Sequence, residues 1–302
     1  MNLRVTDNIN GSESIARINA QRSRLGVLQE RISTGKRINR ASDDPSGAEA
    51  VINLKTTQTQ IEQFARNANT ASAKLTATDG ALNEYENILT RLKTLVSQGL
   101  SDTTAQSARN ALATEVDSLR SRVLSLANTK HGDEYLFGGT RQNAPPFDQA
   151  TAASAGTPAS ARYVQIEPGA NAIAVGVTAE AVFSDADSTI FADLTAAAAA
   201  LRGTGDAAAD KAALQNTMNR LGVYSGLSDV ARIRVGVNMN VAETTIERLT
   251  NDSLSLDERI SSIETADFAE TALEFTNAQR VLEATLQVSA GQNRRSLFDF
   301  IG

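Results

Sequence analysis

The sequence predicts a mainly α-helical fold: an elongated bundle of long helices, with paired N- and C-terminal helices and a small β-containing insert. Three observations predict it. Leu54, Ile61, Ala68, Leu75, Leu82, Leu89 and Val96 recur every seven residues without a break, with Phe64, Ala71, Tyr85 and Leu92 three residues after members of that series. A sustained a/d seam of this kind marks a coiled coil or a long bundle helix. Shorter seams occupy both ends of the chain: Ile18, Leu25, Leu28 and Ile32 near the start, and Phe268, Phe275, Leu282 and Leu286 near the finish. Between them, Tyr163, Gln165, Ile173, Val175 and Val177 lie in alternating runs around Pro168-Gly169, the pattern of a hairpin.

Taken in order, residues 1–14 are polar and predict no stable structure, and a helix is expected from about Glu13 to Ser33. Gly35 ends it, because glycine accepts the left-handed conformation of a helix terminus. Asp44 is placed to N-cap the next helix, with Pro45 at its first position. That helix is expected to reach about Gln98, roughly 80 Å at 1.5 Å per residue, with Gly80 a candidate kink. Leu112, Val116, Leu119, Val123 and Leu126 predict an antiparallel neighbour over about Thr103–Asn128, ended by His131-Gly132-Asp133. Tyr135–Thr140 then predicts a short strand entering a turn, and Ala150–Ser160 a flexible linker. Helices are expected over Thr189–Leu201, Ala207–Leu221 and Asp229–Thr265, with a break at Thr265–Asp267 before the last helix. Ser296–Ile301 closes the chain with apolar residues.

These elements suggest three parts. Residues 1–40 with 266–302 form terminal assembly helices, 41–146 with 203–265 a helical framework, and 147–202 an outward insert. The helical seams do not run through the insert, so it is expected to be dispensable for folding. The terminal segments are expected to be unfolded in the free chain and to fold on assembly, since an isolated helix of about 20 to 30 residues is marginal in water.

Composition limits the function. Without cysteine there is no disulfide and no thiolate metal site. The net charge of −6 argues against a nucleic-acid binder. Residues 1–40, however, carry eight basic side chains against Asp7, Glu13 and Glu30. An Arg-rich N-terminus also suits a transit peptide or a nucleic-acid arm. The basic residues interleave with the Ile18/Leu25/Leu28/Ile32 stripe, which favours a packing helix with a solvated face. No apolar h-region stands in residues 1–14, and no run of 18 apolar residues predicts membrane insertion.

No catalytic, cofactor or metal constellation is found. Gly35-Lys36 fails as a phosphate loop, because Glu30 stands where glycine is needed and Arg37 where Ser or Thr would hold magnesium. Asp185 and Asp187 begin like a calcium loop, but Ala196 stands at the closing position. His131 has no second histidine to share a metal or triad with. An enzyme or binding module would have to use the 147–202 insert, whose Ala-rich composition offers little to build a polar site.

The stretch from Arg31 to Glu49 carries a resemblance. Ser33-Thr34-Gly35, Arg37-Ile38-Asn39 and Ser42-Asp43-Asp44 are similar to the N-terminal signature of bacterial flagellins and the flagellin-like hook-associated proteins. Pro45 and the Tyr135–Thr140 run followed by Pro146-Phe147 look more like the hook-associated branch, and Gly47 more like flagellin. The signature residues carried over are Gly35, Arg37, Asn39, Ser42, Asp43, Asp44 and Pro45. The resemblance implies a structural, non-enzymatic protein of the bacterial flagellum, with the filament-forming flagellins as the alternative. It implies four partners: copies of itself in a ring, hook-associated protein 1, flagellin and a flagellar export chaperone. It also implies type III export to the cell exterior without a cleaved signal.

Overall fold

The computed structural model describes residues 3–141, 143–154, 159–169 and 172–301, with side chains over 12–290 of these. Among the described residues, seven helices and four short strands follow one another: α1 (Leu3–Thr34), α2 (Pro45–Leu100), α3 (Gln106–Ala127), β1 (Lys130–His131), β2 (Glu134–Tyr135), β3 (Tyr163–Gln165), β4 (Ala172–Ala174), α4 (Glu180–Phe183), α5 (Ile190–Arg202), α6 (Ala207–Glu264) and α7 (Phe268–Ile301). The strands form two antiparallel pairs, β1 with β2 and β3 with β4. The chain divides into two compact units, Met1–Gln60 with Asp252–Gly302, and Ile61–Asn251. Both divisions fall inside long helices, α2 and α6.

In the first unit α1 packs antiparallel to α7: Lys36 bridges Thr265 at one end, and Ser14 lies with Thr285 and Ser289 towards the other. The terminal segments are therefore helical and paired within a single chain, contrary to the expectation that they fold only on assembly. Helix α1 also starts at Leu3, earlier than the polar composition of residues 1–14 suggests. The apolar run Ser296–Ile301 belongs to α7, and its side chains lie outside the described residues.

In the second unit the seam of α2 is the core. Ala68, Leu75, Leu82, Leu89 and Val96 are fully buried. Helix α3 runs antiparallel beside it, with Arg91 paired to Glu115 and Arg122 to Glu84. Gly80 does not interrupt α2. Nor do Gly222 and Gly226 break α6, which is one helix where the sequence suggests two. Each helical glycine costs about 1 kcal/mol relative to alanine, but Leu221, Tyr224, Ala231 and Val235 are buried along one line and hold the helix through that stretch. His131 stands exposed in β1, and Gly132 (φ +61°) makes the β1–β2 turn instead of capping α3.

The insert is built into this core, not hung outside it. Phe183 lies edge-on to Tyr85 of α2 (centroids 4.7 Å apart), to Phe137 (5.2 Å) and to Phe147 (6.1 Å), and Phe147 meets Phe191 at 4.8 Å. Asn128 clips the Phe147 backbone by giving Nδ2–H to its carbonyl (2.9 Å) and accepting its N–H (3.1 Å). The guanidinium of Arg220 on α6 reaches Asp193 of α5 (2.5 Å) and Asp185 (2.6 Å), and the Tyr224 hydroxyl donates to the same Asp193 carboxylate (2.6 Å). Burial and the adjacent Asp193 carboxylate push the Tyr224 phenol up, so it remains a donor. Asp185 also accepts the backbone N–H groups of Asp187 and Ser188. Part of the predicted 150–160 linker, residues 155–158, lies outside the described residues.

Insert side chains fill the core of the second unit, so the insert is expected to be needed for folding, against the dispensability that the sequence suggests. Replacing 150–185 by a short linker removes Ile166, Ile173, Val182 and Phe183 from the buried core, and cooperative unfolding is expected to be lost. Phe183→Ala alone should lower stability by about 3–5 kcal/mol, read as a shift of the denaturant midpoint at unchanged slope. A loss below 1 kcal/mol would show that the aromatic cluster is not tightly packed.

Candidate assembly site

The described residues hold no cluster of three or more His, Asp or Glu able to bind a metal, and no helix long and apolar enough to cross a membrane. The feature that stands out instead is a joint in the first unit, where the α1–α2 loop meets the α6–α7 turn.

Gly35 takes φ +67° and donates its N–H to the Arg31 carbonyl (2.9 Å), which ends α1. The chain then runs antiparallel past the end of α6. Arg37 N–H donates to the Glu264 carbonyl (2.7 Å), and Ala266 N–H donates to the Gly35 carbonyl (2.9 Å). Side chains reinforce the bridge. Lys36 Nζ (2.8 Å) and Lys55 Nζ (3.1 Å) both reach the Glu264 carboxylate. Burial pushes that carboxyl up, but hydrogen bonds and charge from the two lysines outweigh it and hold it below its ordinary range. Arg37 spans both elbows, donating to the Ile263 carbonyl (3.0 Å) and pairing with Asp44 (3.2 Å).

The two aspartates have separate local roles. Asp43 Oδ2 accepts the N–H groups of Asn39 (3.1 Å) and Arg40 (2.9 Å), tying the loop into a tight turn. Asn39 donates its amide to the Lys36 carbonyl (3.0 Å). Asp44 Oδ1 accepts from Gly47 N–H (2.9 Å) and from the Ser46 hydroxyl (3.0 Å), capping α2. Pro45 occupies the first helical position, where no N–H is needed, and Ser42 is exposed. A Cβ on Gly47 would stand 2.5 Å from Asp44 Oδ2 and 2.6 Å from Ile38 Cδ1, so glycine lets Ile38 fold under the cap. This role was missed from sequence, where Gly47 served only as a family marker.

Beyond the joint, α1 and α7 share a seam. Leu28 is buried; Ile18, Leu25, Ile32, Phe275 and Leu282 are half-buried. Thr271 and Ala278 are also buried, so on α7 the inward line passes through Thr271, Phe275, Ala278 and Leu282. Phe268 stands two-thirds exposed as the first residue of α7, after the Asp267 cap, and Leu286 is also exposed. A second apolar set faces solvent: Ile15 and Val27 on α1, and Leu273, Val281 and Val288 on α7. Periodicity alone did not single out this outer set, because the inner seam accounts for the seven-residue rhythm.

Long helices closed by a two-elbow joint, with apolar residues left on the terminal pair, characterise the first unit. The family model of the bacterial flagellin N-terminal helical region matches residues 5–142. That match takes in just under half of the chain, and along its whole length the chain is similar to flagellar hook-associated proteins. It is 24% identical to flagellar hook-associated protein 3 of Salmonella typhimurium, over 98% of this chain and 99% of that one. Its fold is similar to that of FlgL from Xanthomonas campestris (TM-score 0.61, 18% identity, 69% of this chain and 99% of that one). It is similar also to the flagellar junction protein FlgL from Legionella pneumophila (TM-score 0.57, 16% identity, 72% and 100%). Flagellins such as flagellin B of Helicobacter pylori match over less than half of this chain.

Two outcomes test the joint. Gly35→Ala forces a side chain into the left-handed region and should destabilise the protein by about 1–2 kcal/mol, measured by thermal unfolding. Backbone hydrogen bonds hold Asp43 and Asp44 below their ordinary value of 3.8. Groups with depressed folded values stabilise above the unfolded value, and that contribution disappears as pH falls through the folded one. The melting temperature of an Asp43→Asn/Asp44→Asn double variant should therefore lie below that of the parent at pH 6 and converge with it below pH 3.8. A pH-independent gap would remove the carboxylates' charge from the account.

Proposed function

We propose that this chain is a structural subunit of the bacterial flagellum that assembles as the junction between hook and filament. The observation that carries this reading is likeness to hook-associated protein 3 along essentially the whole of both chains, whereas flagellins match in part. The relatives are structural proteins, and this chain is not an enzyme. As a flagellar component it belongs to an extracellular appendage and associates with other flagellar parts.

The finer partners form part of the proposal. Hook-associated protein 1 adjoins the subunit on the hook side, flagellin on the filament side, and further copies of itself around the ring. An export chaperone holds the C-terminal helix, and the chain leaves through the flagellar type III channel without a cleaved signal. The exposed apolar residues of α1 and α7 support this reading. Ile15, Phe268, Leu273, Val281 and Val288 stand exposed, and exposed apolar surface suits contact with another subunit. The inner line of Ile18, Leu25, Leu28, Ile32, Phe275 and Leu282 holds the terminal pair together and presents that surface, with Leu286 at its edge.

A deletion strain should carry hooks without filaments in electron micrographs and shed flagellin into the medium. Normal filaments would count decisively against the junction role. At residue level, Leu273→Glu should leave the melting temperature of the free chain unchanged, because the side chain is 65% exposed, yet abolish filament formation in cells. Leu282→Glu should instead loosen the α1–α7 pair, forfeiting roughly 1.5–3 kcal/mol of apolar transfer. Hydrogen exchange along α1 would report that loosening. If Leu273→Glu cells swim normally, the outer face of α7 is not a contact surface.

A further inference from the structure

A hollow of about 630 Å³ opens in the second unit between α3, α5 and the loop after Phe147. It is lined by one side of α5, where Ala192, Ala196 and Ala199 present methyl groups and Thr195 a hydroxyl, all exposed. Arg120 of α3 and Thr151 of the loop also line it, and Thr189 stands at the start of α5. None of these residues has a part in the joint or in the terminal pair. The size is that of a small-molecule pocket.

Arg120 is the cation of this hollow. It is half-buried, and its Nε donates to the Phe191 carbonyl (3.2 Å), which orients the guanidinium. Neither Nη has a partner among the described residues. Other arginines of the unit differ: Arg122 pairs with Glu84, Arg202 with Asp117, and Arg220 with Asp185 and Asp193. Asp148, the carboxylate nearest in sequence to Thr151, does not line the hollow. One of its oxygens accepts the Ala150 and Thr151 N–H groups and the Thr151 hydroxyl. An oriented arginine fork with no carboxylate of its own suits one from outside.

The loop gives an independent observation. Ala152, which also lines the hollow, takes φ +55°, and among the described residues it is the one non-glycine in the left-handed region. Its N–H donates to the Asp148 carbonyl (2.8 Å), and the bridge between Phe147 and Ser154 closes the turn around it. That conformation is unfavourable for a residue with a Cβ, and strained residues gather at ligand sites. The turn through Ala152 brings Thr151 and Ala153 to the edge of the hollow.

The hydrogen-bonding capacity left around the hollow narrows the ligand. Thr189 Oγ1 accepts the Ala192 N–H (3.3 Å), and its own proton has no acceptor among the described residues. Thr195 Oγ1 donates to the Phe191 carbonyl (2.8 Å) and Thr151 Oγ1 to Asp148 (2.8 Å), so both offer lone pairs. A phosphate or sulfate would set its acceptor oxygens against those lone pairs. A sugar acid meets all the groups: its carboxylate faces Arg120, its hydroxyls both donate and accept, and its C–H face lies on the alanine methyls. We propose that this hollow binds a carboxylate-bearing monosaccharide, held bidentately by Arg120. The site is independent of the junction reading, which stands or falls without it.

Ligand-observed NMR on the full-length chain tests this with sodium D-glucuronate. D-glucose serves as the neutral match and inorganic phosphate as the plain anion. Glucuronate should bind saturably, with a dissociation constant on the order of 1 mM for so small a ligand. Glucose and phosphate should each bind about tenfold more weakly or less. Arg120→Gln should reduce glucuronate affinity by about the same factor. Ala196→Leu fills the hollow and leaves Arg120 in place. It should weaken binding without lowering the melting temperature, because the site is exposed and leucine favours helix. Absence of saturable glucuronate binding overturns the proposal, as does equal binding of glucose or of phosphate. Should Arg120→Gln lower the melting temperature, Ala196→Leu decides: undiminished binding there places the ligand elsewhere and overturns the assignment.

Discussion

Two backbone hydrogen bonds, Arg37 N–H to Glu264 O and Ala266 N–H to Gly35 O, tie the two helix reversals of the first unit into one joint. Each reversal alone is a loose elbow with unsatisfied helix-end groups. Joined, they direct α1 and α7 along each other and bring the beginning of α2 against the end of α6. Most conspicuous residues of the loop serve this purpose. Gly35 permits the reversal, Lys36 and Lys55 neutralise Glu264, and Arg37 links the α6 terminus to the α2 cap. Asp43 and Asp44 close the turn around them. Much of the charge-rich composition of the stretch is explained by this geometry.

The long helices do more than span distance. A helix of this kind can carry an inner seam and an outer one, because two 3.6-residue lines fit on opposite sides of the same cylinder. In α7 the inner line meets α1 while Leu273, Val281 and Val288 face out. In α6 the inner line meets the core while Val223, Val230 and Val237 face out. An ordinary surface helix places charge on its outer side. Outward apolar residues on the terminal pair are what the proposed assembling role requires.

The insert shows how a small β-containing segment is built into a core. It has little secondary structure of its own, one hairpin of three residues per strand and two helices. What it contributes is large side chains. Phe147, Phe183 and Phe191 join Tyr85 and Phe137 in one edge-to-face cluster. In a protein with only 4% aromatic residues, concentrating them there places much of the available apolar volume at one point. The Arg220–Asp193–Tyr224 network anchors the same segment on its polar side.

The sequence by itself determined what depends on local rules. Seven-residue repetition announced the α2 seam, Gly35 and Asp44-Pro45 announced the ends of two helices, and Pro168-Gly169 announced the β3–β4 hairpin. Each is a matter of backbone preference or periodicity within a few turns of chain. Tertiary structure decided the rest. Whether Gly222 and Gly226 break α6 depends on burial of Tyr224 and its neighbours, which propensity does not contain. Whether Phe183 is core or ornament depends on meeting Tyr85, nearly a hundred residues away. Phe268 belongs to the seven-residue rhythm of α7 but stands exposed, since the Asp267 cap fixes where α7 begins and the packing of α1 selects the line through Thr271. Gly47 is legible only once Ile38 is seen beneath it. Local sequence sets which elements form, and contacts between distant residues set which faces they bury, because burial is shared between partners that no short stretch of sequence can name.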